Sequence, residues 1–362
     1  MFIIDIYTIV ISAMLLLVAL FTSFINPFFR KPNVSEPYLK EDDDETLTKE
    51  MGTTEQREVV QEQQYPPVSI ILTPNDDALA LSKNINKYLS QEYPNYEVIV
   101  VVPKGDVETE DILKTYADNP RLYTTFIPST SKYMSRKKLA ITLGAKAAKN
   151  EWLLICDIFC APQSEHWLSA LARNCKENIN LVVGYTIYDE EASDFWRFER
   201  FYLSCYLMRE AQKATAYAWN SNALLFKKSE FLETEGFRGN LKYVRGEFDF
   251  IVNKYAQKGT TAVENSIDGT LIEETPIYKH WINKHLFYIE TRQHLKRSAK
   301  HRLRFYFDQF AIHFNYLIIV AALVFSILTN VNQTMSSTVS MILDFLKNIS
   351  MNCKILEIAV GN

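Results

Sequence analysis

Two polar residues stand just beyond apolar runs of the sequence, where they could bind a ligand. Asn75 comes shortly after the run 68–72, and Asp157 directly follows the run 152–156. If these runs are parallel strands, their carboxyl ends meet at one edge of a sheet, and open α/β sheets bind ligands at that edge. Amide and carboxylate groups can form hydrogen bonds with a polar ligand there. The spacing therefore predicts a ligand-binding edge that contains Asn75 and Asp157.

The residues around Asp157 do not favour a zinc site. Cys156 and Cys160 flank it, but two thiols without nearby His or Cys partners bind zinc poorly, and we interpret them as core residues. The chain has five cysteines at irregular spacing, which does not predict a disulfide framework. A net charge of −4 over 362 residues predicts no basic face, so nucleic acid is excluded as a partner.

Alternating apolar and helical segments predict the elements that position these residues. Continuous apolar runs separated by helices are typical of a parallel sheet that helices cover on both faces. We therefore predict an α/β domain with a mostly parallel sheet. The apolar runs are 68–72, 97–102, 122–127 and 151–156, and the helical segments are 78–90, 107–119 and 137–148.

Two long apolar segments predict transmembrane helices. Residues 3–25 and about 310–328 are each long enough to span ~30 Å of hydrocarbon. The first lacks the basic start and the cleavage site of a signal peptide, and a buried core helix is the alternative for the second. Lys and Arg residues follow the first segment and precede the second, so the chain between them is predicted to face the cytosol. The predicted localisation is the cell inner membrane, with two spans.

These segments divide the chain into five predicted parts. An acidic stretch with little aromatic content precedes the α/β domain and is predicted to be flexible. Within the domain, a helix at 194–213 has an aromatic face that suits either a membrane interface or a cover over the core. The five parts are a transmembrane anchor at 1–30, a flexible linker at 31–64, a cytosolic domain at 65–304, a second transmembrane helix at 305–330 and a tail of unknown role at 331–362.

Two motifs connect the domain with a known protein family. Residues 137–157 contain a helix and a strand that lead to Asp157, and residues 218–226 are followed by Gly236 and Phe237. In these motifs, and over residues 68–298, the chain resembles the family 2 glycosyltransferases with a GT-A fold, especially membrane-anchored bacterial members. The resemblance implies an inverting transferase that moves a sugar from a nucleotide sugar, expected to be a UDP-sugar, to a glycan or lipid-linked acceptor at the cytosolic membrane face.

The resemblance also implies a metal site. Family members hold a divalent cation, Mg²⁺ or Mn²⁺, on an Asp-x-Asp motif, where the cation neutralises the leaving diphosphate. Here the motif reads Asp157-Ile158-Phe159, so the first carboxylate is present and the second is absent. Asp157 is therefore the expected ligand of the metal and of the nucleotide sugar. The alternative is a strand-end Asp that caps the next turn.

The catalytic base is expected in the segment after Gly246. Family members carry a Glu-Asp pair that opens a helix and supplies the base for the acceptor hydroxyl. Phe248 stands where the basic Asp is expected, so the resemblance leaves Glu247 or Asp249 as the base if the helix start is rotated. The alternative is that both carboxylates only favour the positive end of the helix.

Five further residues match family positions that contact the nucleotide sugar. Asn75 and Asp76 match a pair in the first loop, although turn formation explains them nearly as well. Of a basic pair near the diphosphate, Lys138 is the predicted phosphate contact, with an ordinary solvent-facing charge as the alternative. Gln293 and Lys296 match a motif that braces the diphosphate, and a plain basic cluster is the alternative there.

Two hypotheses of function follow. The first is an active glycosyltransferase. The second is a catalytically inactive paralogue that acts as a scaffold or regulator of polysaccharide assembly, because the departures from the family pattern fall on the polar site and leave the core pattern intact. Carboxylates next to the altered positions favour the enzyme.

Overall fold

The chain forms two compact units, one of residues 33–296 and one of residues 1–32 together with 297–362. The computed structural model describes residues 6–25, 32–38, 65–75, 77–129, 135–213 and 215–329. In chain order, the described strands are β1 Val68–Leu72, β2 Tyr96–Pro103, β3 Leu122–Ile127, β4 Trp152–Cys156, β5 Cys160–Pro162, β6 Leu181–Val183, β7 Tyr185–Tyr188, β8 Ala223–Lys227, β9 Thr261–Val263 and β10 Thr270–Glu273. The described helices are α1 Ile6–Ile25, α2 Ala78–Leu89, α3 Val107–Lys114, α4 Arg136–Ala147, α5 Trp167–Ala172, α6 Asp194–Lys213, α7 Lys228–Glu233, α8 Glu247–Tyr255, α9 Tyr278–Arg292 and α10 Ala299–Thr329.

A mixed seven-stranded sheet forms the centre of the larger unit. Its strand order is β3-β2-β1-β4-β8-β6-β9, with β1, β2, β3 and β4 parallel and β8 antiparallel to both of its neighbours. The chain builds outward from β1 to β3 and then returns to place β4 on the other side of β1. Leu72 and Cys156, the last residues of β1 and β4, are paired in register. Such a reversal of strand order opens a crevice at the carboxyl ends of the strands.

Burial on both faces explains the continuous apolar runs of this sheet. Every residue of β1 and β4 is buried, because helices cover both faces. Gly144 of α4 lies so close to β1 that a Cβ atom there would stand 2.6 Å from Cγ2 of Ile71. This close approach fixes the position of α4 over the sheet and of the residues in its first turn.

The larger unit also contains a second sheet of three strands. Its order is β5-β10-β7, and β10 is antiparallel to β5 and parallel to β7. The long helix α6 packs against β7 and β9. Of the two interpretations of its aromatic sequence, these contacts support a cover over the core.

The segment 33–38 of the predicted flexible linker belongs to the larger unit and is hydrogen-bonded to it. The N–H of Ser35 donates to Oδ1 of Asn265 at 2.7 Å, and Nη2 of Arg173 donates to the carbonyl of Glu36 at 2.6 Å. Residue 31 and residues 39–64 of the predicted linker are outside the described residues, as is the predicted tail at 331–362.

The prediction of two transmembrane helices was wrong. In the part of the chain that the structure describes, none of the helices combines the length and the apolar character needed to cross a bilayer. The apolar run from Phe310 is only one part of α10, which begins with charged turns that contain Lys300, Arg302 and Asp308. The helix α1 contains several hydroxyl-bearing residues. The predicted inner-membrane localisation with two spans rested on these helices and is corrected with them.

Candidate functional site

Asp157 and Lys137 form an ion pair at the carboxyl end of β4. Nζ of Lys137 donates a hydrogen bond to Oδ2 of Asp157 at 2.7 Å. Lys137 lies in the first turn of α4, which Gly144 holds close to the sheet. The side chains of Lys137 and Asp157 keep 30% and 22% of their surface exposed, so a ligand can reach the pair.

Glu247 joins this pair from the first turn of α8. Its Oε1 accepts a hydrogen bond from Oγ of Ser135 at 3.2 Å, and the residue is largely buried. Burial would lower the pKa of Lys137, but the negative charges of Asp157 and Glu247 raise that pKa above its ordinary value. We call Lys137, Asp157 and Glu247 the open cluster.

Gly246 determines how α8 presents its first residues. It caps the helix with φ +90°, and a Cβ atom there would stand 2.1 Å from Cγ2 of Thr291. A side chain is therefore excluded at this position both by the backbone conformation and by the available space. The turn places the ring of Phe248 with its centroid 5.3 Å from Nζ of Lys137. The residue at the expected position of the base thus contacts the same cation through its aromatic face.

Asp249, the other candidate base, is bound elsewhere. Its Oδ1 accepts the N–H of Trp219 at 2.9 Å, and its Oδ2 accepts Nε of Arg292 at 3.1 Å. Only 1% of its surface is exposed. Glu247 and Asp249 are two residues apart, which is about 200° around a helix. Asp249 therefore links α8 to α9, whereas Glu247 lies with the open cluster.

Lys138 is buried beneath its neighbour. Its Nζ donates to the carbonyl of Asn240 at 2.8 Å and to that of Tyr243, and it lies 4.8 Å from the ring centroid of Phe250. Burial lowers its pKa, while the carboxylate of Glu247 acts in the opposite direction. Lys138 thus holds the chain segment 240–243 against α4.

The remaining predicted contacts are at the surface or outside the described residues. Asn75 is exposed beyond β1, and Asp76 is not among the described residues. Gln293 and Lys296 are both exposed after α9. The backbone of Lys296 is fixed by Asn253, whose Nδ2 donates to its carbonyl at 2.9 Å and whose Oδ1 accepts its N–H at 2.8 Å.

The structure brings Asp157 and Glu247 together through Lys137, which sequence reasoning did not select. The sequence did mark a basic pair at this place, but adjacent helical residues lie about 100° apart. The rotation of α4 decides which lysine meets Asp157, and that rotation depends on the packing of Gly144 against Ile71. Gly144 lies seven residues after Lys137 and therefore on the same face of the helix, and this spacing was the available signal.

A second charged cluster lies at the three-stranded sheet and was not foreseen. Oε2 of Glu273 accepts Nη1 of Arg200 at 2.5 Å, and Nζ of Lys284 donates to Oε1 and Oε2 at 2.7 and 2.9 Å. Nδ2 of Asn222 donates to Oε2 of Glu273 at 2.8 Å and to Sγ of Cys160 at 3.0 Å. Burial opposes ionisation of Glu273, but the two cations lower its pKa to about 2. We call Arg200, Glu273 and Lys284 the closed cluster.

The described residues offer a poor donor set for a divalent cation. Within the described ranges, no three His, Cys, Asp or Glu side chains converge on a point that could hold a metal ion. Asp157 is the one carboxylate at the end of β4, and Lys137 already pairs with it. The side chain two residues later is Phe159, which has no oxygen to offer.

Comparisons with known proteins find a matching family model and a solved structure with the same fold. Residues 69–231 match the family model described as Glycosyl transferase family 2. None of the curated proteins matches the chain. The mannosyltransferase PcManGT from Pyrobaculum calidifontis, solved in complex with GDP-Man and Mn²⁺, has a TM-score of 0.54 and 14% identity, over 95% of this chain and 98% of that chain. S. aureus TarS 1-349, solved with UDP-GlcNAc, has a TM-score of 0.42 and 12% identity, over 58% of this chain and 59% of that chain.

Proposed function

We propose that this chain, which belongs to the family 2 glycosyltransferases and has a GT-A-like fold, transfers a sugar from a nucleotide sugar with inversion of configuration. The observation that carries the proposal is the open cluster at the reversal of strand order between β1 and β4. The ammonium group of Lys137 interacts there with the charges of Asp157 and Glu247, and the side chains of Lys137 and Asp157 keep 30% and 22% of their surface exposed. PcManGT, which has the same fold, was solved with GDP-Man. We expect a UDP- or GDP-sugar donor and an acceptor hydroxyl on a glycan or a lipid-linked saccharide.

Glu247 is the proposed catalytic base. In the reaction the acceptor oxygen bonds to the anomeric carbon, the bond from that carbon to the diphosphate oxygen breaks, and the hydroxyl proton moves to a carboxylate. Glu247 accepts one described hydrogen bond, from Ser135, so the carboxylate retains free acceptor positions. Asp249 does not meet this requirement, because Trp219 and Arg292 occupy both of its oxygens.

Asp157 and its ion-pair partner form the proposed donor side. They lie on the strand that directly adjoins β1, whose following loop contains Asn75. Asn75, Asp76, Gln293 and Lys296 remain proposed contacts of the nucleotide or its diphosphate. Asp157 is the candidate ligand for the divalent cation that the family implies, and no group of three ligating side chains is found among the described residues.

The test is a transfer assay on the full chain with a panel of UDP- and GDP-sugars, supported by nucleotide titration. Glu247→Gln is expected to lower the transfer rate about 10²–10⁴-fold, the usual contribution of a general base, and to leave nucleotide affinity unchanged. Glu235→Gln, at an exposed carboxylate, is the matched control. Failure of the folded chain to bind any UDP or GDP species would refute the proposal, as would an unchanged rate in Glu247→Gln.

A specific observation supports the inactive paralogue as a second candidate. The ring of Phe248 lies against Lys137 at the position expected for the basic Asp, and Asp249 is held away from the open cluster. A catalytically inactive paralogue would bind a nucleotide but would neither transfer nor hydrolyse the sugar of any donor. Nucleotide binding together with no hydrolysis or transfer of any donor in the panel, with and without Mn²⁺, would favour it.

A further inference from the structure

We propose that the ammonium group of Lys137 supplies the positive charge that binds the donor diphosphate, in place of a divalent cation, so that donor binding needs no metal. This inference rests on the proposed function, because it concerns the donor of the same site. It assigns the phosphate contact to Lys137, the member of the basic pair that the sequence analysis did not select, and it removes the metal from donor binding.

The donor set gives the first reason. Mg²⁺ and Mn²⁺ require several hard oxygen ligands, and a site with no second carboxylate leaves most of the coordination to the ligand and to water. Ile158 is buried and Phe159 is 39% exposed, so neither supplies an oxygen from its side chain. Oδ1 of Asp157 already accepts the N–H of Phe159 at 3.4 Å, and Oδ2 is paired with Lys137.

The charge of the site gives the second reason. Two carboxylates with one divalent cation sum to zero, and one carboxylate with one ammonium group also sums to zero. The loss of the second Asp from the motif is therefore matched by the cation that the chain itself provides. A lone Asp157 without Lys137 would repel a diphosphate, whereas the pair presents a cation with a counter-charge behind it.

The geometry of Lys137 gives the third reason. An ammonium group has three N–H donors, and Lys137 uses one of them on Asp157 within the described residues. Two donors remain for diphosphate oxygens. Lys137 also lies in the first turn of α4, whose amino end adds positive potential for an anion. The ion pair and the ring of Phe248 restrict the side chain, which lowers the entropy lost when it binds a phosphate.

The experiment is calorimetric titration of the full chain with UDP and with GDP, in EDTA and in Mn²⁺. Wild type is expected to bind one of them with affinities that differ less than about twofold between the two conditions. Lys137→Met should weaken binding in EDTA about tenfold or more, the usual loss for a charge-assisted hydrogen bond. Lys146→Met, an exposed lysine on the same helix, is the matched control and should leave the affinity unchanged.

A variant that should acquire a requirement for Mn²⁺ distinguishes a binding role of Lys137 from damage to the fold. Lys137→Met combined with Phe159→Asp restores two carboxylates and removes the ammonium group, so its nucleotide binding should require Mn²⁺. Wild-type binding that is lost in EDTA would overturn the inference and leave the proposed function standing. So would an unchanged affinity of Lys137→Met in EDTA. Absence of nucleotide binding under every condition, in a chain with a normal unfolding transition, would overturn the proposed function and this inference with it.

Discussion

In the closed cluster two cations share one carboxylate, whereas in the open cluster two carboxylates stand beside one cation. Glu273 is 8% exposed and accepts hydrogen bonds from Arg200, Lys284 and Asn222. Lys137 and Asp157 share one hydrogen bond with each other, and their side chains keep 30% and 22% of their surface in solvent. Buried charged groups whose hydrogen-bonding positions are all occupied by one another stabilise a particular packing, and they have no free donor or acceptor for a ligand. Charges that remain partly exposed and partly unbonded can still recognise one.

The same contrast separates residues that are neighbours in the sequence. Lys137 pairs with Asp157 at the crevice, while Lys138 binds backbone carbonyls inside the unit. Glu247 has one described hydrogen bond, while Asp249 has both oxygens bonded. In each pair, the rotation between adjacent helical positions assigns one residue to the site and the other to the scaffold.

The largest effect on stability is expected in the closed cluster. Glu273→Gln leaves Arg200 and Lys284 without a counter-charge in the interior, so we expect it to lower the free energy of unfolding by about 3–5 kcal/mol. Glu235→Gln breaks an exposed ion pair with Arg238 and should change the free energy of unfolding by less than about 1 kcal/mol. Urea denaturation of the full-length variants measures both values. Equal losses in the two variants would contradict the distinction between buried and exposed pairs.

A somewhat smaller loss is expected for Asp249. Asp249→Asn removes the charge that pairs with the largely buried Arg292, and we expect a loss of about 3 kcal/mol. Glu247→Gln, two residues earlier, should cost less than about 1 kcal/mol, because Lys137 keeps its ion pair with Asp157. Thermal unfolding of both variants provides the measurement. If Glu247→Gln were the more damaging change, Glu247 would belong to the scaffold and could not be the base.

The sequence predicted the sheet better than the site, for a physical reason. Apolar runs such as 68–72 and 97–102 become strands within one residue of the predicted positions, because burial on both faces demands a local pattern that one sequence displays. The closed cluster joins residues of three separate elements, α6, β10 and α9. A local sequence pattern does not predict which residues of separate elements will form an ion pair. The orientation of Glu247 depends on the left-handed turn at Gly246 and its contact with Thr291.

A smaller effect should distinguish the two adjacent lysines. Lys138→Met removes the buried ammonium group that donates to the carbonyls of Asn240 and Tyr243, and we expect a loss of about 2 kcal/mol in the free energy of unfolding. Lys137→Met should stay within about 1 kcal/mol, because its ion pair is partly exposed. Urea denaturation of the two variants under one set of conditions tests this order. A larger loss in Lys137→Met than in Lys138→Met would mean that Lys137 supports the fold. Weaker nucleotide binding by Lys137→Met could then no longer be assigned to a lost phosphate contact.

The smallest effect concerns a contact that is about as exposed as the ion pair of the open cluster. Nε2 of His285 lies 3.0 Å from Oε1 of Glu199, with 29% and 28% of the side chains exposed. The hydrogen bond to Glu199 raises the pKa of His285, burial lowers it, and the carbonyl of Trp281 adds to the increase. A folded-state pKa above the unfolded value of about 6.5 stabilises the protein fully below that pH, and the contribution is lost as the pH rises through the folded-state pKa.

Solvent screening limits this contribution to about 0.5 kcal/mol. We therefore expect wild type to lose that much stability between pH 6 and 8 relative to His285→Gln, in urea denaturation at matched ionic strength. His280→Gln, an exposed histidine on the same helix, should retain the wild-type slope. The opposite slope, with wild type gaining stability relative to His285→Gln as the pH rises, would show that burial lowers the pKa of His285 more than Glu199 raises it. The contact between His285 and Glu199 would then not act as an ion pair.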